Sequence, residues 1–217
     1  MQLFLLICLA VVMVGVIWFA LHKLEKKRSL RFQEIADQMG LNFHRKGDSG
    51  LQARFSALTL FGRGHSRKSY NVLSGQSQNI DVAVFGYQYT TGGGKNSHTS
   101  RQTVMAFDSP HLQLPAFELR PEHMFHKIGQ AFGYSDIDFE THPQFSKKYL
   151  LRGKNEDAIR DVFTADVLEF FEAGKGISVE ARDGQLIYYR SGRRIKPEEI
   201  QAFMEQAFRC YALFKSE

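Results

Sequence analysis

Residues Leu3 to Leu21 read LFLLICLAVVMVGVIWFAL, a run with no charged side chain. Its 19 residues make about 28 Å of helix at about 1.5 Å per residue. A bilayer hydrocarbon core is about 30 Å thick, so the run spans it with little tilt. The β-branched residues Val11, Val12, Val14, Val16 and Ile17 do not oppose a helix here, because a lone segment in lipid can bond its backbone internally in no other way. Trp18 suits the interfacial aromatic belt. A cleaved signal peptide would call for a basic n-region and small residues before a cut. Only Met1 and Gln2 precede the run, and Phe19-Ala20-Leu21 leads straight into His22 and Lys23. A core helix would show a polar face, and none occurs. The reading is an uncleaved single-pass anchor.

The flank sets its orientation. Lys23, Lys26, Lys27, Arg28 and Arg31 follow the run, opposed by Glu25 alone. The positive-inside rule places this flank, and the domain after it, in the cytoplasm. The same cluster can contact anionic lipid heads. It also accounts for most of the formal charge of +5. The sequence pI of about 9.2 is thus a topology signal, and no nucleic-acid footprint is expected. Within the domain, Arg45, Lys46, Arg54, Arg63, Arg67 and Lys68 face only Asp48 in their stretch. That is a solvated surface or a face resting on an anionic leaflet. Cys8 lies in the span and Cys210 in an amphipathic helix, so neither a disulfide framework nor a cysteine zinc site is expected.

Phe32, Ile35, Ala36 and Met39 repeat at helical spacing up to Gly40, and Leu24 extends the stripe back towards the span. A single rod through to Gly40 is one outcome of that pattern. Strands are expected over 57–61, 70–73, 80–89 and 103–107. Thr91 to Arg101 would connect a long hairpin, and Leu114 to Phe117 would begin a short edge strand beside Pro115. Pro121 is placed to open a helix carrying Met124, Phe125, Ile128 and Phe132. The last third reads strand (148–151), helix (Asn155 to Gly174), hairpin about Asp183-Gly184, and helix from Pro197. Two helices over one face of an antiparallel sheet is the expected packing, an α+β fold. The divisions are 1–28 for anchor and flank, 29–142 for a helix and β-rich part, and 143–217 for strand–helix–hairpin–helix.

Candidate chemistry is sparse. Thr91, Gly92, Gly93, Gly94, Lys95, Asn96 and Ser97 invite comparison with a phosphate loop. The first glycine position is occupied by Tyr89, Asn96 stands where a hydroxyl would hold magnesium, and a strand rather than a helix follows. An exposed hairpin tip that could bind a partner is the better reading. His123 and His126 share a helix face, and with Asp136 and Asp138 they form a metal-ligand alternative. The pattern is E-H-x-x-H, however, not the H-E-x-x-H of helical zinc sites. Asp136, Asp138 and Glu140 alternate as on the wet side of a half-buried strand. No G-x-S-x-G elbow occurs, and no cofactor is expected.

The phrases Tyr87 to Ser97, Leu119-Arg120-Pro121-Glu122, Asp136 to Glu140 and Phe145 to Arg152 resemble a group of uncharacterised bacterial proteins with one N-terminal membrane helix and a cytoplasmic domain of unknown function. The resemblance implies a bacterial inner-membrane setting and supplies no activity. The leading expectation is a membrane-anchored, non-enzymatic interaction or scaffolding domain, whose partners are the bilayer and a membrane or cytoplasmic protein. The alternatives are a metal-assisted enzyme using the His123/His126 and 136–140 region, and an anionic-lipid-sensing domain.

Overall fold

Helix α1 (Gln2–Met39) is one unbroken rod of 38 residues, so the anchor does continue to Gly40. There Gly40 takes φ +67°, and the Leu41 N–H donates to the Ala36 carbonyl at 2.8 Å, a Schellman-type stop for which glycine is suited. The apolar window of α1 is wholly uncovered by the rest of the protein. An apolar helix left bare on every side is a candidate membrane span rather than a core helix. The computed structural model describes residues 2–47, 49–77, 79–122 and 136–215.

An eight-stranded sheet follows, in spatial order β1-β2-β3-β4-β8-β7-β5-β6. The strands are β1 (Asn42–Lys46), β2 (His65–Ser77), β3 (Ile80–Thr91), β4 (His98–Asp108), β5 (Phe117–Pro121), β6 (Tyr149–Gly153), β7 (Ser178–Arg182) and β8 (Gln185–Tyr189). Every pairing is antiparallel. The helices on the soluble part are α2 (Ser49–Arg54), α3 (Thr59–Gly62), α4 (Pro143–Lys148), α5 (Glu156–Val162), α6 (Ala165–Ala173) and α7 (Ile200–Phe214). This is the α+β architecture expected of the sequence. The sheet is continuous from the N-terminal strands to the C-terminal ones through the β4–β8 pairing.

Alternation along the strands splits the core in two. On one face Leu73, Val84, Met105, Phe107, Leu186 and Tyr188 pack with Phe32 and Ala36 of α1 and with the stripes of α5 to α7. On the other, Val72, Phe85, Tyr87, Val104, Ile187 and Tyr189 pack under Phe55, Leu58, Leu60 and Phe61 of the α2–α3 segment. Asp183 (φ 48°) and Gly184 (φ 83°) make the β7–β8 turn, the left-handed pair that an Asp-Gly hairpin requires.

Four expectations change. The run 57–61 is not a strand, because Thr59–Gly62 forms a helical turn whose Leu60 and Phe61 both bury against the second face; a short apolar run does not distinguish the two. The helix from Asn155 to Gly174 is two, α5 and α6, parted at Phe163 and Thr164. Thr164 and Asp166 are start signals, and the break still turns Ile159, Phe163, Val167 and Phe171 inwards. β5 is an interior strand between β6 and β7, not an edge strand, with Pro121 as its last residue opposite Tyr149; the body of the helix expected after Pro121 lies outside the described residues. Residues 136–139 are irregular, not a strand. The stripe from Met124 to Phe132 lies outside the described residues.

Candidate functional site

The joint between anchor and domain is built from polar contacts over an apolar seat. Phe32 and Ala36 are buried. Both carboxylate oxygens of Glu25 accept from Arg194, Nη1 and Nη2, at 2.8 Å each. The Arg194 guanidinium lies 5.7 Å from the Tyr70 ring centroid, and that ring rests on Gly86, where any Cβ would collide with it. Arg28 donates to the Ile195 carbonyl and sits 4.9 Å from the Phe32 ring. The Ser29 hydroxyl and Asn71 Oδ1 are 2.7 Å apart in a buried contact. Asn71 has φ 49° at a break in the β2–β3 register, so a bulge aims it at the helix. The loop carrying Arg194 is fixed to β4 in turn: Ile195 N–H donates to Thr103 Oγ1 at 2.9 Å and Thr103 N–H to the Arg193 carbonyl at 3.0 Å.

These contacts fix a direction. Glu25 and Arg194 lie by Tyr70, Ser29 by Asn71, and Leu41 by Gly75, so β2 runs alongside α1, away from the bilayer. β3 is antiparallel to β2 and therefore returns towards it. The β3–β4 hairpin tip, Thr91 to Ser97, thus points back at the membrane. Thr91, Gly92, Gly93, Gly94, Lys95, Asn96 and Ser97 are all exposed. Gly92 and Gly94 take φ 72° and 55°, and a 3-10 turn spans Gly94–Asn96. Arg101, after the tip, is near enough to help hold the Glu25 carboxyl below its usual range, though the larger cause is the hydrogen bond from Arg194.

The five basic flank residues divide. Lys23, Lys26 and Lys27 are exposed; Arg31 pairs with Glu34 at 2.7 Å; Arg28 belongs to the joint.

A second constellation lies beneath α3. Glu180 is 1% exposed. It accepts from the Leu60 N–H at 2.8 Å, the Tyr189 hydroxyl at 2.8 Å and Arg63 Nη2 at 3.3 Å. Arg63 also pairs with Glu118, which in turn pairs with Arg120. Burial, and then the charge of Glu118, push the Glu180 carboxyl up. Burial holds the Tyr189 phenol well above its usual range, so it remains a donor. Leu60 and Phe61 close over the group. This is a latch holding the α2–α3 segment on the sheet rather than an open reaction centre.

The residues of the metal alternative are described only in part. His123 and His126 lie outside the described residues. Asp136 accepts from the Leu151 N–H at 2.9 Å, and burial pushes its carboxyl up to about 6. Asp138 is exposed. Among the described residues no three His, Cys, Asp or Glu side chains come together. A groove of about 550 Å³ lies between α2 and strands β1 to β3, lined by His44, Lys46, Leu51, Arg54 and Phe55 among others. Arg54 is occupied there by Asp81 and Asp108.

No family model matches the chain, and no curated protein matches it. Among solved structures, the crystal structure of the mycobacterial trehalose monomycolate transport factor A is similar. The TM-score is 0.61 at 13% identity, over 86% of this chain and 91% of that one. At that identity the likeness is one of fold. Among the described residues one helix, at the N-terminus, is long and apolar enough to cross a membrane; the chain is a membrane-associated protein with a soluble α+β domain, and that transport factor shares its fold.

The sequence carried the hairpin tip and the stalk. It did not carry the joint or the latch. A lone Glu25 within a basic flank was a clue to a partner, but Arg194 stands far along the chain. Glu180 sits in Ser-Val-Glu-Ala-Arg, which reads as an outward residue of a half-buried strand.

Proposed function

We propose that this protein is a membrane-tethered, non-enzymatic scaffold that presents the Thr91–Ser97 hairpin tip to a protein partner in the same membrane. The observation that carries the reading is the rigid path from span to tip: α1 continues unbroken into the domain and docks so that β3 returns towards the bilayer and the β3–β4 tip faces it. A flexible tether would serve an enzyme acting on a diffusing substrate. A docked stalk holds one surface at one height. The basic flank supports a cytoplasmic placement at a bacterial inner membrane, and the likeness to a transport factor supports an accessory role beside membrane transport machinery.

The test replaces Gly92 to Ser97 by an Asn-Gly turn in the full chain, which closes the hairpin without disturbing the ladder. Affinity capture from detergent-solubilised membranes is expected to recover a membrane protein with the native chain and lose it with the shortened one, while both melt alike. Equal recovery by the two proteins would contradict the reading.

A further inference from the structure

We infer that the stalk-side face of the sheet end nearest the bilayer is a contact surface for anionic lipid headgroups, formed jointly by Lys68 and Arg101 of the sheet and Lys23, Lys26 and Lys27 of the stalk. The inference rests on the anchored reading above but uses different residues from the hairpin tip.

Lys68, Gln88 and Arg101 are direct cross-strand neighbours on β2, β3 and β4, and Arg101 Nε donates to Gln88 Oε1 at 3.3 Å. They form one transverse row. Tyr70, two residues beyond Lys68 and so on the same face, is the ring beneath Arg194. The row therefore faces α1. Its height follows from rise per residue. Glu25 stands about 6 Å beyond Leu21 along the helix. Lys68 lies about 7 Å back towards the bilayer from Tyr70, which is near Glu25 in level. The row thus lies on the bilayer side of the Glu25–Arg194 joint, between that joint and the hairpin tip and beside the stalk lysines.

The charge there is one-sided. Glu25 is neutralised by Arg194, whereas Lys23, Lys26, Lys27 and Lys68 are exposed and have no salt-bridge partner among the described residues. Cations brought together at that level, on a chain whose anchor already lies in the bilayer, are complementary to an anionic leaflet. Of the broader basic face drawn from sequence, Lys68 belongs to this row, while Arg45 and Lys46 lie exposed on β1. Arg63 is buried in the latch, Arg54 is paired at the far end of the sheet, and Arg67 donates to the Phe61 carbonyl.

Lysine acylation of the full-length protein, read by mass spectrometry in lipid nanodiscs, tests this without mutation. One set of discs is phosphatidylcholine; the other contains phosphatidylglycerol. Lys68 is expected to react about fivefold more slowly in the anionic discs and to recover at high salt. Lys154, next to Gly153 at the far end of β6, keeps one rate in both. R101Q should restore part of the Lys68 reactivity. An equal Lys68 rate in both lipids, or slowing that salt does not reverse, would overturn the inference and leave the scaffold reading standing. Failure to elute with either disc would overturn the membrane reading, and this inference with it.

Discussion

Glu180 shows how one buried carboxylate can hold a segment. It satisfies the Leu60 amide, the Tyr189 hydroxyl and part of Arg63, so truncation strands three polar groups in a closed space. Glu180→Ala is expected to cost about 3–5 kcal/mol, measured by urea unfolding of the detergent-solubilised chain; a loss below about 1 kcal/mol would remove the latch from the account. Asp136 gives a pH signature. Its carboxyl is raised in the folded state from an ordinary 3.8 to about 6, so the folded state binds its proton more tightly than the unfolded state does. Its charge therefore opposes folding above that range, and stability falls as pH rises from about 4 to about 6. Asp136→Asn keeps an acceptor for the Leu151 amide and removes the titration. The melting temperature of the variant relative to the native protein should be unchanged near pH 4, climb between pH 4 and 6, and then level off; a difference that does not vary with pH would refute this origin. Neither role could be read from sequence, because each depends on which distant backbone amide the carboxylate meets.

At the scale of elements, the stalk joint combines an ion pair with apolar burial, and magnitudes decide between them. The Glu25–Arg194 pair is partly exposed, and such pairs contribute about 0.2–1 kcal/mol. Phe32 is buried, and truncating a buried phenylalanine costs about 3–5 kcal/mol. Phe32→Ala should therefore lower the urea midpoint markedly and Arg194→Ala only slightly; the reverse order would mean that the pair, not the seat, holds the stalk. Gly86→Val should resemble Phe32→Ala, since a side chain there displaces the Tyr70 ring. Much of this level was legible. The stripe through Phe32, Ile35 and Met39 with Gly40 behind it marked the stalk, and the Asp183-Gly184 hairpin and the α7 stripe are where periodicity placed them. The misread elements are short: 57–61 and the α5–α6 break are too brief for periodicity to choose between helix and strand, or to mark a restart at Thr164.

At the scale of the molecule, the span was legible because hydropathy over a bilayer's length has few other solutions. The strand order was not, since β4 pairs with β8 across a long stretch of sequence, and that pairing makes one sheet of the chain's two halves. The direction of the hairpin tip also emerges only from the assembled joint, through contacts between α1 and residues near Tyr70 and Arg194. The central claim is that span, stalk and hairpin form one rigid body that keeps the tip facing the bilayer. Double electron–electron resonance tests it most directly, with spin labels at Leu21→Cys and Lys95→Cys of the full chain, Cys8 replaced by serine, in nanodiscs. A single narrow distance distribution, broadened by Phe32→Ala, is the predicted result. A broad or multimodal distribution in the otherwise native chain would contradict the account.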